Sequence, residues 1–177
     1  EPNVILSKYT QGRKEIMVSR LESYFDFAEN DFQFFMAAYE NHMVANQMGA
    51  IAQGICEKYL KHIITEYSVV HNEQEMQEKN SVLRTHSLTK LIKYARNHIE
   101  DFEIDRKQIQ MIDGYYFSTR YPGEESIAID QEDIEDCKAA AESCRKCVLQ
   151  YMKKEQKKEP EKLDDLPPKP QKKMTIK

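Results

Sequence analysis

The stretch ANQMGAIAQGICEKYLKHIITEY, residues 45–67, decides the fold. Met48, Ile51, Ala52, Ile55, Cys56, Tyr59, Leu60, Ile63, Ile64 and Tyr67 recur at i, i+3, i+4 and i+7, the spacing of one helix face. Gly49 and Gly54 flank that stripe, where they either admit close helix approach or are simply tolerated. A helix this apolar along one side has to be covered, so residues 45–67 are the expected centre of a core.

Upstream, Met17, Leu21, Tyr24, Phe25 and Ala28 follow helical spacing from Arg13 onward. Phe32, Phe35, Met36, Tyr39 and Met43 continue it, with Asn30 or Asp31 as a candidate cap, so the run fits two helices or one bent helix. Downstream, residues 68–85 lose the apolar period and read as a long, polar, mobile connection. Order resumes after His86 with Ser87 as N-cap and Leu88, Leu91, Ile92, Ala95 and Ile99 on one face. A further run, Ile109, Ile112 and Tyr116, leads into Tyr115–Gly123, where Pro122 and Gly123 stop the helix and leave Arg120 at its end. Asp130 reads as the N-cap of a last helix carrying Ile134, Cys137, Ala141, Cys144, Val148 and Tyr151. The expected architecture is all-α: an up-and-down bundle of four to five helices over residues 31–152. An N-terminal extension, helical from about residue 12, would precede it, and a disordered Lys- and Pro-rich tail would occupy 153–177.

Composition narrows the functional classes. Only 5 Gly and 6 Pro occur in 177 residues, and no Gly-rich phosphate loop or Gly-x-Ser-x-Gly elbow is present. No apolar run approaches the roughly 20 residues of a membrane span, and four cysteines without loop-rich spacing fit a reduced, cytoplasmic protein. The tail holds nine Lys against five acidic residues, a balance of +4, so residues 1–152 stand at −8. An acidic body argues against broad, sequence-independent nucleic-acid binding but leaves room for a local basic cleft.

Each candidate constellation has a plainer competitor. Cys137, Cys144 and Cys147 suggest a metal or redox site, but Cys137 and Cys144 lie on the core stripe and no second cysteine pair completes a tetrahedron. His62 and Glu66 share a helix face without further ligands, so no metal and no cofactor is expected. Lys58 and Lys61 beside the central stripe read first as a solvated face and second as phosphate contacts. Tyr116, on the apolar stripe, reads first as core. Arg120 reads equally as a cap on helix-end carbonyls or as a ligand contact.

Three segments in fixed order carry a resemblance. Ala50–Lys61 is similar to the central "A-x-E-K-x-L-K" helix of the HEPN superfamily. Thr85-His86-Ser87-Leu88 with Leu91 resembles its "H-[DS]-L-x-x-L" helix start, and Tyr116–Pro122 its "Y-x-x-[ST]-R-Y-P" segment. The resemblance spans about Asp31 to Met152 and implies a helical bundle that pairs as a homodimer. It further implies a nucleotide or RNA ligand, or a protein partner such as a nucleotidyltransferase. Ribonuclease members carry R-x(4–6)-H, yet none of the arginines here is followed by histidine at that spacing; Glu125, Ser126 and Ile127 stand where it would fall after Arg120. The expectation is therefore a noncatalytic module of a bacterial regulatory or toxin–antitoxin-like defence system. Arg120 would contact a phosphate or carboxylate, Tyr116 and Tyr121 would stack or shape the cleft, and Lys58 and Lys61 would add charge. The alternatives are a divergent metal-independent endoribonuclease using Arg120 with Glu125 or a histidine such as His86, and a scaffold whose tail docks an acidic partner.

Overall fold

The computed structural model describes residues 20–158, whose regular elements are all helices, with no strand among them. The order is α1 (Tyr24–Glu40), α2 (Asn46–Tyr67), α3 (Glu73–Leu83), α4 (Leu88–His98), α5 (Arg106–Gln110), α6 (Tyr115–Ser118) and α7 (Gln131–Lys158). Five long helices form the bundle, matching the expected number, and two short segments join α4 to α7. The N-terminal 19 residues and residues 159–177, with the helical spacing at Met17 and the disordered tail expected there, lie outside the described residues.

The central helix is where the stripe puts it. α2 packs against α1, α4, α6 and α7, and Ile55, Tyr59, Leu60, Ile63 and Ile64 are fully buried. Leu88, Leu91, Ile92 and Ala95 of α4 and Ile134, Cys137, Ala141, Cys144 and Val148 of α7 close over it. Burial pushes the Cys137 thiol up to about 12. A hydrogen bond with Cys56 and complete burial raise that of Cys144 well above its ordinary value. Both side chains pack as small apolar groups.

Three readings need correction. Residues 24–40 are one helix, capped not at Asn30 or Asp31 but at Ser23. The Ser23 hydroxyl accepts from the Asp26 amide and the Asp26 carboxylate from the Ser23 amide, a reciprocal box that starts this helix at Tyr24. Residues 73–83, expected as a mobile connection, form α3. It buries no residue fully, which is why no apolar period announces it. Asn72 accepts from the Glu75 amide, Glu73 and Glu75 occupy the positive first turn, and Lys79 donates to the Thr65 and Ser68 carbonyls at the end of α2. The run Ile109–Tyr116 breaks at Gly114, whose φ of 109° lies in the left-handed region. The break resets the helical register, so Tyr115 packs toward the core in place of Tyr116. The last helix also continues past Met152 to Lys158, where Lys154 pairs with Asp101 at 2.9 Å.

One buried charge network ties three helices together. Glu29 of α1 is 1% exposed, takes both Nε and a terminal nitrogen of Arg145 on α7 at 2.7 and 2.9 Å, and accepts from the Tyr59 hydroxyl of α2. Burial works against the Arg145 charge, yet the Glu29 hydrogen bonds outweigh it and hold its pKa above the ordinary value. Burial beside Glu29 likewise raises that of Tyr59. Glu29→Ala strands two partners in the core and is expected to cost about 3 kcal/mol in urea unfolding. The part-exposed Lys58–Asp31 pair at 2.8 Å contributes less than about 1 kcal/mol, so Lys58→Ala should change little.

His62 carries a second energetic signature. It is 9% exposed, its Nε2 lacks a partner among the described residues, and burial depresses its pKa below 6.5 despite Glu66 and Asp26. The unfolded chain then binds the extra proton, so stability is complete above about pH 6.5 and falls as pH drops from there toward the lowered folded value. Urea midpoints measured from pH 7.5 to 5.0 should show this slope in the parent chain and a weaker one in His62→Phe.

Candidate ligand site around Arg120

Two segments distant in sequence meet over one face of α2. Gln53 is buried at 1% exposure and spends its amide on both of them. Its Nε2 donates to the His86 carbonyl at 2.6 Å, and its Oε1 accepts from the Gly114 and Tyr116 amides at 3.1 and 2.6 Å. One turn on, Glu57 accepts from His86 Nδ1 at 3.0 Å and from Lys61 at 2.7 Å. Asp113 adds a third clasp by accepting from the Leu88 and Thr89 amides at the positive end of α4, both at 2.9 Å.

Glycine sets the depth of α6 on α2. A Cβ on Gly49 would stand 3.0 Å from a Tyr115 ring carbon and 3.1 Å from side-chain carbons of Thr119 and Ile129, so any larger residue would push those side chains back by a few tenths of an ångström, and glycine favours the close approach. Gly54 faces only the flexible Lys58 end. Around this contact, Tyr115 donates to Asp133 at 3.0 Å, Thr119 donates to the Tyr115 carbonyl, and Asn46 clips both Ile127 and Ile129. The segment after α6 is thereby held at both edges.

The result is an aromatic cluster with one cation. His86 stacks on Tyr116 with centroids 4.3 Å apart and planes 6° from parallel. Phe117 meets both edge-on at 5.8 and 5.0 Å. The Arg120 guanidinium lies 4.8 Å from the Tyr116 centroid and 5.9 Å from that of Tyr121. Arg120 is exposed, and among the described residues its side chain makes no ion pair and no hydrogen bond to a helix-end carbonyl. Phe117 and Tyr121 are each 56% exposed, a large open ring area.

The sequence-derived candidates separate here. Arg120, Tyr116 and Tyr121 stand together, Tyr116 as a member of the cluster and not of the core. Lys61, expected on a solvated face, is 6% exposed and reaches the cluster only through Glu57. Lys58 is held by Asp31 of α1. Glu125 is exposed in the following loop, and His86, read mainly as a helix starter, is a full partner in the stack. Gln53 and Glu57 escaped the sequence reading, although Gln53, Glu57 and Lys61 recur every four residues on one helix face. Among the described residues no group of three or more His, Cys, Asp or Glu could hold a metal ion, and no helix is long and apolar enough to cross a membrane. Gln53→Leu would leave three backbone groups unpaired; it should cost about 2–3 kcal/mol in urea unfolding and shift the His86 ring signals in NMR as its stacking partner loosens.

Comparison with known proteins adds one finding. A HEPN domain family model matches residues 75–155, which include the His86 and Arg120 anchors and leave out α1 and α2. No curated protein and no solved structure matches the chain. The all-helical bundle and the family match agree with the ordered anchors in the sequence: residues 75–155 are similar to a HEPN domain.

Proposed function

We propose that this chain is a noncatalytic HEPN-type module that binds a nucleotide or a single-stranded RNA end at the Arg120 cluster. A HEPN domain supports a nucleotide- or RNA-related module in general. The observation that carries the finer reading is Arg120 itself. A guanidinium that is exposed, unpaired among the described residues and laid against two tyrosine rings is a ready phosphate contact beside two open stacking surfaces. In this reading the module acts as a homodimer in a bacterial regulatory or defence system, alongside a protein partner of the nucleotidyltransferase kind.

One observation favours a second reading, a metal-independent endoribonuclease. His86 is held through Nδ1 by Glu57, its side chain is 40% exposed, and its Nε2 has no hydrogen-bond partner among the described residues. A histidine oriented by a buried carboxylate is suited to take the proton of a 2′-hydroxyl while a cation stabilises the phosphate oxygens. The Tyr116 ring is already engaged by both groups, stacked on His86 at 4.3 Å and 4.8 Å from the Arg120 guanidinium. That crowding favours binding over chemistry.

Fluorescence anisotropy with labelled five-nucleotide RNA and competition by AMP tests the first reading. Arg120→Ala and Tyr121→Ala should each weaken binding about tenfold or more, since a charge-assisted contact and a stacked base are each worth about 1–3 kcal/mol. Binding unchanged in both variants would contradict it. Incubation of mixed RNA with the parent chain in EDTA should leave the RNA intact; cleavage leaving cyclic phosphate ends and lost in both Arg120→Ala and His86→Ala would establish the enzyme instead.

A further inference from the structure

The acidic body carries one face of opposite character. Residues 84–99 hold Arg84, Lys90, Lys93 and Arg96 and no Asp or Glu, within a stretch of 152 residues whose balance is −8. All four are exposed, as is Arg106 at the start of α5. None of the five is in an ion pair among the described residues; Arg106 bonds only the neutral amide of Gln110. Elsewhere Lys58, Lys138, Lys154 and Lys158 are each matched with a carboxylate.

These cations line two adjoining grooves. Arg84, Thr85, Lys90 and Lys93 border the first with Ser81 and Glu78, and Lys93, Arg96 and Arg106 border the second; Lys93 and Asn97 belong to both. Glu78 is the acidic residue at the rim, and it faces His98 at 3.7 Å. The carboxylate of Asp113, near the start of α4, is already committed to the Leu88 and Thr89 amides, and Asp105 caps α5 through the Gln108 amide. On α4, Lys90, Lys93 and Arg96 rise in steps of roughly 4.5 Å along the axis.

The grooves begin where the Arg120 cluster ends. Thr85 lines the first groove, His86 stacks in the cluster, and Ser87 caps α4. We propose that the exposed face of α4, with Arg84 and Arg106, is a track for the phosphodiester backbone of a single-stranded RNA whose end occupies the Arg120 cluster. The proposal rests on the reading of that cluster as a nucleotide or RNA site. RNA is favoured over an acidic protein because the track has no exposed apolar centre. Its apolar lining is half-buried at Val82 and buried at Tyr94 and Ile92, whereas protein interfaces are built on an apolar middle. The large exposed apolar side chains Tyr24, Phe27 and Phe34 lie on α1 instead. Phosphates need only a run of unpaired cations with polar neighbours, and the negative remainder of the surface confines them to it.

The test uses the full chain with labelled 5- and 20-nucleotide single-stranded RNA, and AMP as competitor, over a salt series. Lys90→Gln/Lys93→Gln/Arg96→Gln alters exposed side chains only, and the tail lysines are the same in both proteins. The triple variant should bind the 20-mer at least tenfold more weakly at about 0.1 M salt, with the slope of log affinity against log salt reduced by roughly 2, since each single-strand phosphate contact contributes about 0.7. AMP affinity should stay within twofold of the parent. A 20-mer bound by the triple variant with parental affinity and slope overturns the track and leaves the Arg120 reading intact. Conversely, if Arg120→Ala changes neither AMP nor 5-mer binding while the triple variant still loses the 20-mer, the Arg120 reading fails and the basic surface stands alone. A parent chain that binds poly-glutamate but no RNA, with that binding lost in the triple variant, overturns the proposal in favour of an acidic-protein dock. Circular dichroism melts matching the parent to within a few degrees establish that the variant is folded; if they do not, Lys90→Gln and Lys93→Gln are read singly, each expected to lower the slope by roughly 0.7.

Discussion

Gln53, Glu57 and Lys61 are polar residues inside the most buried helix of the protein, and their need for partners organises much else. A buried amide or carboxylate left unpaired is costly, so each has to reach a group on another segment or a charge on its own helix. Lys61 answers Glu57 within α2. Gln53 and the second Glu57 oxygen reach outward to His86, Gly114 and Tyr116. The stripe therefore fixes two loop segments against each other, and the Arg120 cluster is what those segments carry. On another side of the same helix, Tyr59 meets Glu29 and Arg145 and joins α1 to α7 by the same rule.

Flexible-looking residues acquire definite positions through this arrangement. Arg120 and Tyr121 follow a four-residue helix that could not persist alone. They are ordered because Gly49 lets α6 sit close on α2, Tyr115 reaches Asp133, and Asn46 holds the strand of chain that follows. Rigid support beneath, open rings and an uncompensated cation above, is the division of labour expected of a binding surface. Without it the same arginine on a mobile loop would lose much of its affinity to ordering entropy.

The apolar stripes of α2, α4 and α7 were legible because burial alone dictates their spacing. α3 was not, since capping by Asn72, the reach of Lys79 and only two half-buried apolar side chains near its end, Val82 and Leu83, hold it, too few to leave a period. The break at Gly114 also hid in the sequence: a single positive φ moved Tyr115 inward and freed Tyr116 for the cluster, inverting the inference from the unbroken run. For the site, the motif pieces brought Arg120, Tyr116 and Tyr121 into view. The placing of His86 beside Tyr116 depended on contacts across 33, 61 and 63 residues made by Gln53, which no local pattern encodes. The four-residue spacing of Gln53, Glu57 and Lys61 was visible; that this face is covered was not.

The most direct measurement of the central claim is a two-dimensional NMR titration of the ¹⁵N-labelled chain with a five-nucleotide RNA, following backbone amides together with the Arg120 side-chain Nε–H. The account predicts that the largest shifts fall on residues 116–121, the Arg120 side chain and His86. Shifts absent there and concentrated on α1 or in the tail would contradict it.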